Sequence, residues 1–170
     1  MSKPLTPEQR ELAERAARKA RILYEGTQTP HRSCGICLAE TFNLRTPPYQ
    51  ALRKGGITGE GHCGAIRAGE LILGEIFGDP DPTGATTETL AAAVADYGAR
   101  WKRALFRDAA ESIVCNDLTG RFAEFRSPER HGFCTNLTEI VAQCIAETIL
   151  AHGGEVEIRA IEGLPDEQQP

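Results

Sequence analysis

The chain has 170 residues, with 24 acidic against 19 basic side chains, a net charge of −5 and 41% hydrophobic residues. That composition suits one folded domain with a sizeable core and excludes a disordered chain, and the negative charge argues against general nucleic-acid binding. No stretch approaches the ~18 apolar residues of a membrane span, and the N-terminus lacks the apolar region of a signal peptide, so the expectation is a cytoplasmic protein with reduced cysteines that engages neither membrane nor nucleic acid.

Thr6-Pro7-Glu8-Gln9 predicts a helix start, with Thr as cap and Gln three residues on. Leu12, Ala16, Ala20 and Tyr24 continue it at helical spacing and Gly26 ends it. Ser33 predicts the cap of a second helix carrying Cys34, Cys37, Leu38 and Phe42, ended by Pro47-Pro48. A glycine-rich loop, Gly55 to Gly64, precedes a third helix with Ile66, Gly69, Leu73, Ile76 and Phe77 on one side. A fourth helix is predicted from about Thr87 to Phe106, with Leu90, Val94, Tyr97, Trp101 and Leu105 as its stripe. The run Arg100, Lys102, Arg103 and Arg107 reads as a solvated face of it.

Residues from about Ser112 to Gly120 predict a short helix with Cys115. A loop through Arg126-Ser127-Pro128 then leads to a last helix from about Cys134 to His152. Val156 and Ile158 alternate with Glu155 and Glu157, a weak strand signal. The predicted fold is all-α, a compact bundle of about five helices with the glycine-rich loop before the third. Residues 1–154 form the cysteine-rich helical domain, and 155–170 are an extension that is partly disordered at its end.

Six cysteines carry the chemistry: Cys34, Cys37, Cys63, Cys115, Cys134 and Cys144. Cys34 and Cys37 share a helix face, a C-x-x-C pair that serves zinc, iron–sulfur clusters and dithiol chemistry alike. Cys63 stands where the glycine-rich loop enters a helix, where free N–H groups favour a thiolate. Cys115 and Cys134 also lie near predicted helix starts. Cys144 is ten residues beyond Cys134 on the same predicted helix, about 15 Å along the axis. The two cannot share one small cluster, and Cys144 reads as core packing.

The order Cys34, then Gly55-Gly56 with Cys63-Gly64-Ala65, then Cys115, then Cys134 resembles the C_GCAxxG_C_C family, small cysteine-rich proteins described as redox-active, to which split-Soret cytochromes c are similar. The resemblance covers about residues 8 to 150. Cys34 with Leu38 and Phe42 looks like the family's first cysteine helix. Gly55, Gly56, Gly59, Cys63, Gly64 and Ala65 look like its central motif. Cys115 with Leu118 and Gly120 looks like the third segment, and Cys134 with Leu137 the fourth. The departures are Ala68 where a glycine is expected, with Gly69 one place later, the extra Cys37 and Cys144, and no haem-attachment motif. The resemblance implies cysteine-based redox chemistry or metal binding without haem, and it names no reaction.

The leading expectation is an iron–sulfur protein, 2Fe–2S or 4Fe–4S, held by Cys34, Cys63, Cys115 and Cys134. Cys37 is a substitute for Cys34 or a spare thiol, and Gly55, Gly56, Gly59, Gly61, His62 and Gly64 surround the cofactor. Such a protein carries electrons to a redox partner protein, senses redox state or accepts sulfur. The alternative is a thiol–disulfide oxidoreductase or sulfur-transfer enzyme using Cys34 with Cys37, or Cys63, which predicts fast alkylation near neutral pH. A structural zinc site is third, with His31, His62 or His131 available as imidazole ligands. No catalytic residue is assigned, and a homodimer is expected only by analogy with the haem-bearing relatives.

Overall fold

Helix α1 spans Pro7–Glu25. The Thr6 hydroxyl accepts from the Gln9 N–H at 3.3 Å and the Gln9 side chain accepts from the Thr6 N–H at 3.0 Å, a reciprocal capping box. Pro7 fills the first helical position, where no N–H is needed, and Gly26 closes the helix in the left-handed conformation, φ 75°. The computed structural model describes residues 3–106 and 112–170. Arg107 of the basic run lies outside them.

Helices α2 (Cys34–Thr41), α3 (Gly64–Phe77), α4 (Glu88–Leu105), the one-turn α5 (Cys115–Thr119) and α6 (Pro128–Ala151) follow, with 3-10 turns at Pro47–Leu52 and Asp166–Gln168. The fold is all-α, with five helices of eight residues or more. Among the described residues there is no strand, only a single bridge between His62 and Val114, and no helix is long and apolar enough to cross a membrane.

Helix α6 is the hub, packed along α1 and against α3 and α4. Ala13, Ala16 and Ala20 present a small-residue face on α1, while Val141, Ile145 and Ile149 of α6 are fully buried. Each large aliphatic side chain so buried contributes about 1.5–3 kcal/mol. Between α3 and α4, the buried Tyr97 hydroxyl donates to the Ile66 carbonyl at 2.9 Å. A Cβ on Gly69 would collide with that hydroxyl. Gly69 therefore has a packing role of its own: α3 is notched there for Tyr97.

Several boundaries differ from the sequence reading. Helix α2 ends at Phe42, where Asn43 turns left-handed (φ 61°), and Pro47-Pro48 open a 3-10 turn instead of closing the helix. Helix α6 starts six residues earlier than predicted, because Ser127 caps it, its hydroxyl accepting from the Arg130 N–H at 3.2 Å, and Pro128 fills the first position. On α4 the buried face is Ala93, Tyr97 and Trp101, and Val94 is exposed. In the basic run, Arg100 pairs with Asp96 at 3.1 Å and Glu147 at 2.8 Å, whereas Lys102 and Arg103 face solvent.

After α6 the chain runs extended without a partner strand, so the alternation at Val156 and Ile158 marks two half-buried side chains. The segment then folds back: Ile161 and Leu164 join the core, and the Gln169 side chain bonds the Ile161 N–H at 2.6 Å and the Leu164 carbonyl at 2.7 Å.

Candidate functional site

A cavity of about 450 Å³ opens where α1, α2, α3, α5 and α6 meet, and Cys34, Cys63, Cys115 and Cys134 all line it. Each comes from a different segment. Cys34 begins α2, Cys63 is the cap residue of α3, Cys115 begins α5 and Cys134 lies in the second turn of α6. Cys134 is therefore not at a helix start. The earlier beginning of α6 instead puts Arg130, Cys134 and Thr138 four residues apart on one face, and all three line the cavity.

The glycine-rich loop explains how α5 reaches the others. Gly55, Gly56 and Gly59 have φ of 57°, 73° and 85°, a left-handed path that other residues adopt at a cost. The loop lies directly on α5: the Cys115 N–H donates to the Gly61 carbonyl at 2.9 Å and the Asn116 N–H to the Gly59 carbonyl at 2.9 Å. The Cys63 N–H donates in turn to the Ile113 carbonyl at 2.7 Å. Cβ atoms on Gly55 and Gly59 would run into Cys115 and Asn116, and one on Gly64 would run into Leu52 and lie 3.0 Å from the Cys34 sulfur. Of the six residues expected around a cofactor, Gly64 alone lines the cavity. Gly55, Gly56, Gly59, Gly61 and the exposed His62 lie outside its lining.

The thiols share one electrostatic environment. Burial pushes the Cys63 thiol up to about 12, against the Ala65 and Ile66 N–H groups at the start of α3, which favour its thiolate. Burial pushes Cys34 up to about 11, with Cys134 and Cys115 adding to the shift. Cys115 is raised by burial and then by Cys134, and eased by Arg130 and Lys54. The neighbouring thiols add to these shifts: Cys34 and Cys134 raise Cys63, Cys134 and Cys115 raise Cys34, and Cys134 raises Cys115, as adjacent anions do.

Cys37 is absent from the cavity lining; it is fully buried and its Sγ donates to the Cys34 carbonyl at 3.1 Å. Cys144 packs in the core. Among the histidines, His31 lines the cavity, its Nδ1 bonded to the Tyr24 carbonyl, while His131 Nε2 meets the Glu25 carbonyl at 2.9 Å. Both rings pack on Tyr24, which also lines the cavity. His152 pairs with Asp96 at 3.2 Å, and Arg67 pairs with Glu70 on the surface.

Sequence reasoning missed Tyr24, Ser33, Thr138 and the cations of the cavity. The Ser33 and Thr138 hydroxyls are buried without a hydrogen-bond partner, and both line the cavity. Buried hydroxyls left without a partner carry a desolvation cost of about 1–3 kcal/mol each; the Tyr49 hydroxyl, outside the cavity lining, is a third. Among the described residues, no three His, Cys, Asp or Glu side chains stand close enough together to hold one metal ion.

The model of one protein family, described as "Putative redox-active protein (C_GCAxxG_C_C)", matches residues 36–148. No curated protein and no solved structure matches the chain. The matched span contains Cys37, Cys63, Cys115, Cys134 and Cys144 and begins just after Cys34, so the place of Cys34 at the site comes from the cavity. With well over half of its length matched, the chain belongs to the C_GCAxxG_C_C family of redox-active proteins.

Proposed function

We propose that this family member is an iron–sulfur protein whose cluster, 2Fe–2S or 4Fe–4S, is held by Cys34, Cys63, Cys115 and Cys134. The observation that carries the reading is the convergence of four cysteines from four separate segments on one cavity. A bound cluster supplies one-electron redox chemistry. The chain's own residues supply the rest. The Ala65 and Ile66 N–H groups stabilise the Cys63 thiolate, Arg130 and Lys54 do the same for Cys115, and Ser33 and Thr138 bring unpartnered hydroxyls to the cavity lining. Leu137 and Tyr24 shield the inner wall from water. In this reading the protein passes electrons to a redox partner protein or senses redox state.

Thiol–disulfide chemistry fits less well. An attacking cysteine needs a depressed pKa and access, whereas burial pushes Cys34 up to about 11 and Cys37 well above its usual range. The Cys37 sulfur is committed to a backbone carbonyl inside the core. The test is the UV–visible spectrum and the iron and sulfide content of protein purified without oxygen. Charge-transfer bands with stoichiometric iron and sulfide are expected. A colourless protein that cannot be reconstituted with iron and sulfide would overturn the reading.

A further inference from the structure

Arg53, Lys54, Arg126 and Arg130 line the cavity together with the cysteines, and no carboxylate does. This runs against the composition, in which acids outnumber bases 24 to 19. Elsewhere the arginines find acids: Arg21 with Glu139, Arg32 with Glu40, Arg100 with Asp96 and Glu147, and Arg159 with Glu157. Among the described residues, none of the four cavity cations forms an ion pair.

Two of the four, Arg130 and Lys54, are also held in place. Arg130 donates to the Phe125 carbonyl and, at 3.3 Å, to the Tyr24 hydroxyl. Its guanidinium lies 4.3 Å from the centre of the Phe125 ring, and the Lys54 ammonium lies 5.1 Å from the same centre. One ring thus gathers two like charges, an arrangement that repels itself unless an anion joins it. Arg53, Lys54 and Arg126 are exposed while Thr138 and Cys63 are buried, so the cations form the mouth and the sulfurs the inner wall. The volume, about 450 Å³, falls within the range of small-molecule sites, about 300–1,000 Å³. Guanidinium forks match the geometry of oxyanions.

We infer that the mouth of this cavity binds a small oxyanion, inorganic or carboxylate, beside the cysteine sulfurs. What the anion does there rests on the proposed function, since the redox centre would be its neighbour. Its binding does not, because the cations belong to the protein with or without a cluster.

Isothermal titration of anaerobically purified protein with sodium sulfate, at low ionic strength, tests it. One sulfate per chain is expected. The R53Q/R126Q double variant removes exposed charges that hold no other contact, and circular dichroism checks its fold. Its affinity for sulfate should fall at least about tenfold, since charge-assisted hydrogen bonds from guanidinium to an oxyanion are the strong ones. In metal-free protein, sulfate should also slow the modification of Cys115 by the uncharged reagent iodoacetamide and leave the core Cys144 unaffected, as mapped by mass spectrometry. Absence of saturable binding, equal affinity in the double variant, or unprotected Cys115 would each overturn the inference. So would binding of poly-glutamate without binding of sulfate, which would make the cations a protein-docking surface. Iron and sulfide assayed on the same samples report on the cluster separately: iron-free protein that binds sulfate removes the cluster and keeps the anion site, and iron-loaded protein that ignores sulfate does the reverse.

Discussion

Gly55 and Cys115 are packed so closely that a Cβ on Gly55 would lie 2.6 Å from the Cβ of Cys115. The glycine is also left-handed, at φ 57°, so any side chain is excluded twice, by conformation and by space. The G55A variant should therefore push α5 away from the loop and draw Cys115 out of the cavity. The expected cost is about 1–3 kcal/mol in thermal or denaturant unfolding, together with reduced iron retention. G56A is the control, since Gly56 shares the left-handed backbone but a Cβ there meets nothing within 4 Å. It should lose a similar backbone contribution and keep its iron. Equal iron loss in both variants would mean that loop strain, not contact with Cys115, governs the site.

The cavity sorts the six cysteines into two groups. On the cluster reading proposed above, alanine at Cys34, Cys63, Cys115 or Cys134 is expected to abolish stoichiometric iron and sulfide, because the four thiolates would be the cluster's ligands. Alanine at Cys37 or Cys144 should leave iron binding intact and lower stability through the small void left in the core, by about 1–2 kcal/mol. The same metal assay across six single variants checks both halves. Iron loss in C37A with retention in C34A would exchange their roles and bring the site into line with the matched span, which begins after Cys34.

The parts of this molecule written in local sequence were readable, and the parts made by folding were not. Helix α1 was legible because Thr6, Pro7, Gln9 and Gly26 each act within a few residues of themselves. The grouping of Cys34, Cys63, Cys115 and Cys134 was suggested by their order along the chain. The start of α6 was missed because Ser127-Pro128 serves a loop or a helix cap equally well, and with it went the alignment of Arg130, Cys134 and Thr138. The glycine-rich loop was expected to touch a cofactor, whereas it supports α5. The cationic mouth had no local signal, because Arg53-Lys54 and Arg126 with Arg130 meet only when the ends of the 3-10 turn and of α6 come together.

Burial sets a pH dependence for the metal-free protein. A thiol whose folded pKa lies above its unfolded value binds a proton more tightly when folded, so its stabilising contribution is complete below the unfolded value and is lost as pH rises through the folded one. For Cys34 the window runs upward from the ordinary value of 9.0 to about 11, and for Cys63 from 9.0 to about 12. Stability should fall as pH rises across this interval, and alkylation should be slow at pH 7 and accelerate in parallel. Denaturant midpoints and iodoacetamide rates between pH 7 and the alkaline limit check this. Rapid alkylation of Cys34 at pH 7 would restore the thiol-chemistry reading.

Thr138 separates a structural hydroxyl from a working one. Its side chain is fully buried and its Oγ1 has no partner, so in metal-free protein the T138V change removes an unsatisfied polar group and keeps the shape. Such a replacement is neutral or stabilising, and the metal-free variant should melt at or above the wild-type temperature. The loaded protein should respond differently. A hydroxyl that donates to cluster or cysteine sulfur stabilises the more negative, reduced state, so its loss should lower the midpoint potential. The S33A change should act in the same direction, because that hydroxyl is also unpartnered and also lines the cavity. Redox titration followed optically measures both. An unchanged potential in the two variants would leave the hydroxyls facing water or the bound anion, and the sulfurs would then take their donors from the backbone at the start of α3.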